Sequence, residues 1–217
     1  MSGETTAGAP FEQPTSFDFT PENMERVRAI IAKYPPGRQA SAVLPLLDLA
    51  QRQHDNWLPR VAMDHIAHIL EMAPIRVYEV ATFYTMFNLR PVGTHFFQIC
   101  TTTPCWLRGS DEVVAACKRK LGIDIGETTQ DGQFTMIEVE CLGACVNAPI
   151  IQVNDDFYED LDGPSTEALI DALARGERPP RGSATGRQGS APITGAKTLM
   201  DVKLASPEQG SGDPNAA

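Results

Sequence analysis

No stretch of this 217-residue chain approaches the roughly eighteen uninterrupted apolar residues of a helical membrane span, which excludes an integral membrane protein of that kind. Basic residues are scarce. Eighteen Lys and Arg against 28 Asp and Glu leave a net charge of −10, which argues against nucleic acid or an anionic lipid surface as the main partner. The opening MSGETTAGAP has neither the basic start nor the apolar core of a secretory signal, and no Arg precedes Arg26 as a mitochondrial presequence would require. The expectation is a chain that stays on the side of the membrane where it was made, or one already processed. A Gly-rich dinucleotide loop and a P-loop are both missing, no nucleophile–His pair suggests itself, and there is no internal repeat. Cysteines are few and odd in number: five, without an export signal, which points to metal or redox chemistry rather than a disulfide framework. What remains, 42 % apolar and 21 % charged residues, is the profile of a globular protein with one full domain or two small ones.

The charge is unevenly spread. Residues 21–90 carry +1, whereas residues 91–175 carry −9 and all five cysteines, so a boundary is expected near residue 90. Residues 1–17 read as a disordered lead-in without an apolar period. Thr20-Pro21 then signals a helix, with Val27, Ile30, Ile31 and Tyr34 on one face and Pro35-Pro36-Gly37 as its stop. Further helices are predicted from Ser41 to Gln53, from Pro59, and from Pro74 through Phe87, giving an N-terminal helical bundle over 18–90. The last of these, VYEVATFYTMF, is apolar nearly all round; it suits a buried central helix or a face reserved for a partner protein.

After Pro91 the period changes to alternation. Strands are predicted at 94–100, 134–140 and 148–153, and a short fourth one at FYE completes a hairpin over 148–159. A helix capped by Ser110 carries Val113, Val114, Cys117 and Leu121 inward, ends on Lys118, Arg119 and Lys120, and closes at Gly122; another runs from Thr166 to Arg175. The order β-α-β-β-β-α with a helical crossover implies a thioredoxin-like α/β domain over 91–176, making the chain α+β overall. Residues 177–217, rich in Gly, Pro, Ser and Ala, read as a flexible or partner-bound tail.

Four cysteines fall in two close pairs, C-x4-C at Cys100 and Cys105 and C-x3-C at Cys141 and Cys145. Cys100 and Cys141 end strands predicted to be parallel, and Cys105 and Cys145 lie in the loops that follow, so the four thiols meet at one edge of the sheet. Two pairs of thiolates suit a [2Fe–2S] cluster, one pair on each tetrahedral iron. Gly143 and Ala144 leave the backbone free to approach it and Pro104 stiffens the first loop. A four-cysteine zinc site tolerates the same spacings and stays open on spacing alone. A dithiol oxidoreductase wants C-x-x-C, and a Rieske centre needs His in these loops, which have none. His54, His65 and His68 are placed on the helices as surface or capping residues, His95 inside a strand, and Cys117 as a small core hydrophobe.

The segments ICTTTPCWLRGS and IEVECLGACVNAPIIQVND, with GETTQDGQFT and VYEVATFYTMFN, resemble the thioredoxin-like [2Fe–2S] ferredoxin component of respiratory complex I, the NADH dehydrogenase E-subunit or mitochondrial small flavoprotein-fraction family. The resemblance runs from about residue 18 to the end of the last helix, and GRQGSAP in the tail echoes the mitochondrial members. It implies that Cys100 and Cys105 ligate one iron and Cys141 and Cys145 the other. It implies docking onto the flavoprotein subunit that carries FMN and the NADH site, beside the large iron–sulfur subunit, with the cluster close to flavin but off the main chain of clusters leading to quinone. The assembly would be peripheral on the inner face of the cell inner membrane, or on the matrix side in a mitochondrion. Relatives in soluble NAD-dependent formate dehydrogenases and hydrogenases share the cysteine pattern.

Overall fold

Thr20 opens the first helix as its hydroxyl predicts, accepting the Asn23 N–H at 3.2 Å, with Pro21 at a position that needs no donor. The computed structural model describes residues 11–187. Helices α1 (Pro21–Ile31), α2 (Val43–Gln53), α3 (Arg60–Ile69) and α4 (Pro74–Phe83) share one apolar core built on Val27, Leu46, Leu47, Leu58, Ile66, Leu70 and Val77. The start predicted for α2 at Ser41 is a 3-10 turn, Gln39–Ala42, and the α-helix proper begins at Val43. The predicted run of α4 through Phe87 is corrected more sharply. Tyr84 adopts an extended conformation and ends the helix at Phe83, so Phe87 reaches the core from the following turn. Phe83 is 77 % exposed, and Ile75, Tyr84 and Met86 lie open as well, so this segment is not a buried central helix.

Residues 11–17 lie against the helices instead of running loose. The rings of Phe11 and Trp57 meet edge to face at 5.4 Å, Gln13 Oε1 accepts the Arg60 N–H at 3.0 Å, and Phe17 packs on Phe19 and His65. Burial of these aromatic rings anchors a segment whose composition otherwise reads as linker. Residues 1–10 lie outside the described part. His54 is the C-cap of α2, its N–H donating to Ala50 O, and His68 is exposed, both as expected; His54 and His65 are half-buried, each packed against aromatic rings. Gln51, unremarkable in the sequence, stitches α2 to the chain after α4, donating to Met86 O at 3.1 Å and accepting the Asn88 N–H at 2.7 Å.

The second half is a six-stranded mixed sheet in the order β2-β3-β1-β4-β5-β6. Its members are β1 (His95–Cys100), β2 (Glu127–Thr128), β3 (Phe134–Val139), β4 (Ile151–Val153), β5 (Asp156–Glu159) and β6 (Gly182–Ser183). β1 and β3 are parallel with Cys100 opposite Val139, and the crossover between them is α6 (Ser110–Leu121), preceded by a short α5 (Thr103–Leu107). Together with α7 (Gly163–Ala174), α6 covers a core of Phe97, Ile99, Val113, Cys117, Met136, Ile151, Leu169 and Ile170. Gly93 leads into β1 so close to β3 that an added Cβ would meet the Phe134 backbone at 2.7 Å.

Several boundaries move. The residue before α6 is Gly109 in a left-handed conformation, and Ser110 is the fully buried first helical residue rather than the cap. α7 starts three residues earlier than Thr166 because Asp162 and Ser165 form a reciprocal capping box around Gly163-Pro164. The strand predicted over 148–153 is confined to β4, Ile151–Val153. β2 and β6, two residues each, are too short to leave a periodic signal. β6 also shows that the chain after Gly176 is not loose from residue 177: it returns and pairs in parallel with β5. The tail beyond residue 187, including most of GRQGSAP, lies outside the described residues. Arg52 joins the two halves through a forked contact with Asp155, at 2.7 and 3.1 Å.

Candidate functional site

Parallel pairing of β1 and β3 brings their C-terminal ends to one edge of the sheet, and the four paired cysteines follow from that register. Cys100 is the last residue of β1 and is 1 % exposed. Cys105, wholly buried, sits in the five-residue helix α5 rather than in the loop expected there. Cys141 follows β3 and is exposed; Cys145 opens a 3-10 turn, Cys145–Asn147, and is partly exposed. The Cys141 and Cys145 sulfurs lie 3.3 Å apart. On the other side, Cys100 and Cys105 share one buried cluster with Ala148 and Ile150, and Leu142, Ala144 and Phe157 pack against it. The thiols are therefore grouped two and two.

Polar groups aimed at the sulfurs set their protonation. Burial pushes the Cys100 thiol up, but hydrogen bonds from the Thr102 hydroxyl at 3.2 Å, the Leu142 and Thr102 N–H groups and Cys105 outweigh it and leave it below the ordinary thiol range. The Cys141 thiol is held down first by the Gly143 N–H, 3.4 Å from its sulfur, and then by Cys145 and Thr102. Cys105 is pushed up to about 12 by burial and by its neighbour Cys100, and Cys145 is raised by Cys141. One thiol of each pair is thus predisposed to ionise and the other to retain its proton until something positive shares the site. Gly143 is required by its backbone, φ +82, and not by crowding, since nothing lies within 4 Å of where its Cβ would be. Thr102 is the residue that sequence reasoning missed; a Thr two residues past a strand carries no spacing signal of its own. Cys117 lies apart in the core, its thiol pushed up to about 12 by burial. Trp106, Leu107 and Val146 project from the Cys105 and Cys145 segments, between 56 and 71 % exposed.

The thiol chemistry and the β1-α-β3 frame match the thioredoxin-like [2Fe–2S] ferredoxin family, whose model fits residues 27–174. The chain belongs to that family. Among its relatives, the E component of the NADH-quinone oxidoreductase of Rickettsia bellii is 59 % identical over 159 residues, covering 73 % of this chain and 95 % of the relative. The mitochondrial NADH dehydrogenase [ubiquinone] flavoprotein 2 of Dictyostelium discoideum is 53 % identical over 187 residues, covering 86 % and 76 %. An NAD+-reducing [NiFe]-hydrogenase in its air-oxidised state superposes with a TM-score of 0.53 at 20 % identity, over 60 % of this chain and 23 % of that one; this likeness is one of fold alone. The side chains present fit the family's cofactor: four soft thiols in two pairs, with backbone N–H groups directed at the sulfurs.

Proposed function

We propose that this chain is the electron-transfer iron–sulfur subunit of an NADH:quinone oxidoreductase, with Cys100 and Cys105 on one iron of a [2Fe–2S] cluster and Cys141 and Cys145 on the other. The observation that carries the reading is the two-and-two grouping of thiols at the ends of the parallel strands β1 and β3. It offers one thiol pair to each of two tetrahedral irons. Bound there, a [2Fe–2S] cluster supplies a carrier of single electrons. The protein's own part is to hold and shield it. Thr102 and the N–H groups of Leu142 and Gly143 stabilise negative charge on Cys100 and Cys141. The buried Cys100–Cys105 side excludes water, and the Cys141–Cys145 side opens to the surface.

The chain works within a multi-subunit oxidoreductase and has no complete active site of its own in its sequence. The partners we assign are the flavoprotein subunit that carries FMN and the NADH site and, beside it, the large iron–sulfur subunit. The exposed apolar groups Phe83, Tyr84, Met86 and Trp106 support an assembled state. Among the described residues no helix is long and apolar enough to cross a membrane, and a peripheral position on the inner membrane face, or on the matrix side, follows from the same reading. The equivalent subunit of a soluble NAD-linked formate dehydrogenase or hydrogenase is the second reading, since such relatives share the cysteine pattern of Cys100, Cys105, Cys141 and Cys145.

The anaerobically purified full chain should contain about two irons and two acid-labile sulfides per molecule and be red-brown, the composition of a [2Fe–2S] centre. One zinc, no labile sulfide and a colourless protein would assign the thiols to a structural metal instead.

A further inference from the structure

The segment that carries Cys145 has little to hold it in its own sequence. It is a single 3-10 turn, Cys145–Asn147, with no side-chain cap, on the open side of the thiol site. Its restraints come from the far edge of the sheet. The Asp160 N–H donates to Asn147 O at 2.7 Å, and Asn147 Nδ2 donates to Glu159 Oε2 at 2.5 Å. Beyond α7 the chain returns as β6 beside β5, the Ala184 N–H donates to Glu159 O at 2.9 Å, and Gly186 turns the backbone with φ +74. That return delivers Arg187. Its guanidinium forks onto the Asp160 carboxylate, Nε to Oδ2 at 2.9 Å and Nη2 to Oδ1 at 2.6 Å, and Nη2 also donates to Val146 O at 2.6 Å. The carboxylate side chain is only 7 % exposed and accepts a further hydrogen bond from Ser183 Oγ at 2.6 Å.

We propose that Arg187, oriented by Asp160, is a positioning residue that pins the Cys145 turn and so governs how firmly the open side of the site retains its cluster. The inference rests on the reading of Cys145 as a ligand. Burial secures Cys100 and Cys105, but it cannot secure Cys145, so rigidity of the turn must do so. A planar guanidinium matches a carboxylate and a neighbouring carbonyl at once, whereas a Lys ammonium keeps the charge but not the fork. Without Arg187, the Val146 carbonyl next to Cys145 loses this donor and Asp160 is left buried without its cation.

The test uses the full-length, cluster-loaded chain with Arg187→Ala, Arg187→Lys, Cys145→Ser and, as a control, Arg175→Ala, whose partner Glu177 lies away from the thiols at the end of α7. The readouts are the rate of bleaching of visible absorption under an iron chelator, the visible circular dichroism of the cluster, and the thermal melting of each apoprotein. Loss of an outer-shell partner typically weakens metal retention 10- to 100-fold, so Arg187→Ala should bleach roughly 10 to 100 times faster with an altered visible dichroism. Arg187→Lys should fall between it and wild type, and Arg175→Ala should match wild type. If Cys145→Ser changes the spectrum while Arg187→Ala keeps both wild-type bleaching and dichroism, the proposal is overturned and the ligand reading stands. If Cys145→Ser leaves the spectrum untouched, the ligand reading falls and takes the proposal with it. Faster bleaching with unchanged dichroism and a matching fall in apoprotein melting marks a general loss of stability and also overturns it. Should Arg187→Ala not fold, the dichroism of Arg187→Lys decides: altered supports the pin, unaltered refutes it.

Discussion

Charge close to the thiol loops is where single residues act on the cluster. The sheet half of the chain carries −9 between residues 91 and 175, and reduction adds one more electron to an already anionic centre, so the surrounding acids favour a potential low in the [2Fe–2S] range. These acids are not equivalent. Glu138 is engaged by the Thr101 hydroxyl, Asp155 by Arg52, Asp156 by Arg181 and Asp160 by Arg187. Glu140 is exposed and adjoins Cys141, which makes it the cleaner probe. A unit charge one Debye length away, about 8 Å at physiological salt, is worth ~0.5 kcal/mol in water, or on the order of 20 mV. Glu140→Gln should therefore raise the midpoint by about that much, and by more at low ionic strength, in an EPR-monitored titration. An unchanged midpoint with an intact cluster would leave backbone N–H groups and solvent access as the determinants. Gly143 is the second sensitive residue. A side chain at its positive φ costs roughly 1–2 kcal/mol, so Gly143→Ala should lower stability and tilt the N–H away from Cys141.

At the scale of elements, the contact between α2 and the β4–β5 turn gives a pH-dependent expectation. Arg52, forked onto Asp155, holds that carboxyl below its ordinary range, with burial opposing the effect. A depressed folded-state value contributes stability above the unfolded pKa of about 3.9 and loses it as pH falls through the folded value. Both side chains are largely exposed, so Arg52→Ala should cost no more than about 1 kcal/mol in urea melts at pH 7, and the difference from wild type should shrink towards zero near pH 3. A deficit that persists undiminished in acid would place the effect in packing of the Arg52 stem.

The same scale shows what periodicity can and cannot convey. α1, α6, β1 and β3 were legible because their apolar spacing or alternation is set by faces buried against the protein's own core, and that sufficed to bring four thiols to one sheet edge. The end of α4 was not: Phe83, Tyr84 and Met86 continue the apolar pattern but face outward, and a pattern does not say whether its partner is the same chain. Ser110 read as a cap because Ser-Asp-Glu suits one, yet the left-handed Gly109 takes that place. Thr102 and the Arg187–Asp160 pair were invisible for a different reason. Their roles arise from contacts across the fold, and no local spacing encodes them.

For the whole molecule, two cores joined by the Arg52–Asp155 contact, a strap that returns to the edge of the sheet, and an exposed apolar surface suit a component of a multi-subunit oxidoreductase. The proposed electron-carrying role depends on which sulfurs hold the cofactor. The decisive measurement is the visible absorption of the full-length chain with each of its five cysteines replaced in turn by Ala. On the proposed assignment, loss of Cys100, Cys105, Cys141 or Cys145 would open the coordination sphere, and each variant should lose or severely destabilise the red-brown chromophore. Cys117→Ala removes one buried sulfur from the core, a packing change on the order of 1 kcal/mol, and should keep the spectrum intact. Bleaching in Cys117→Ala together with an unchanged spectrum in Cys105→Ala would contradict the ligand assignment and the function built on it.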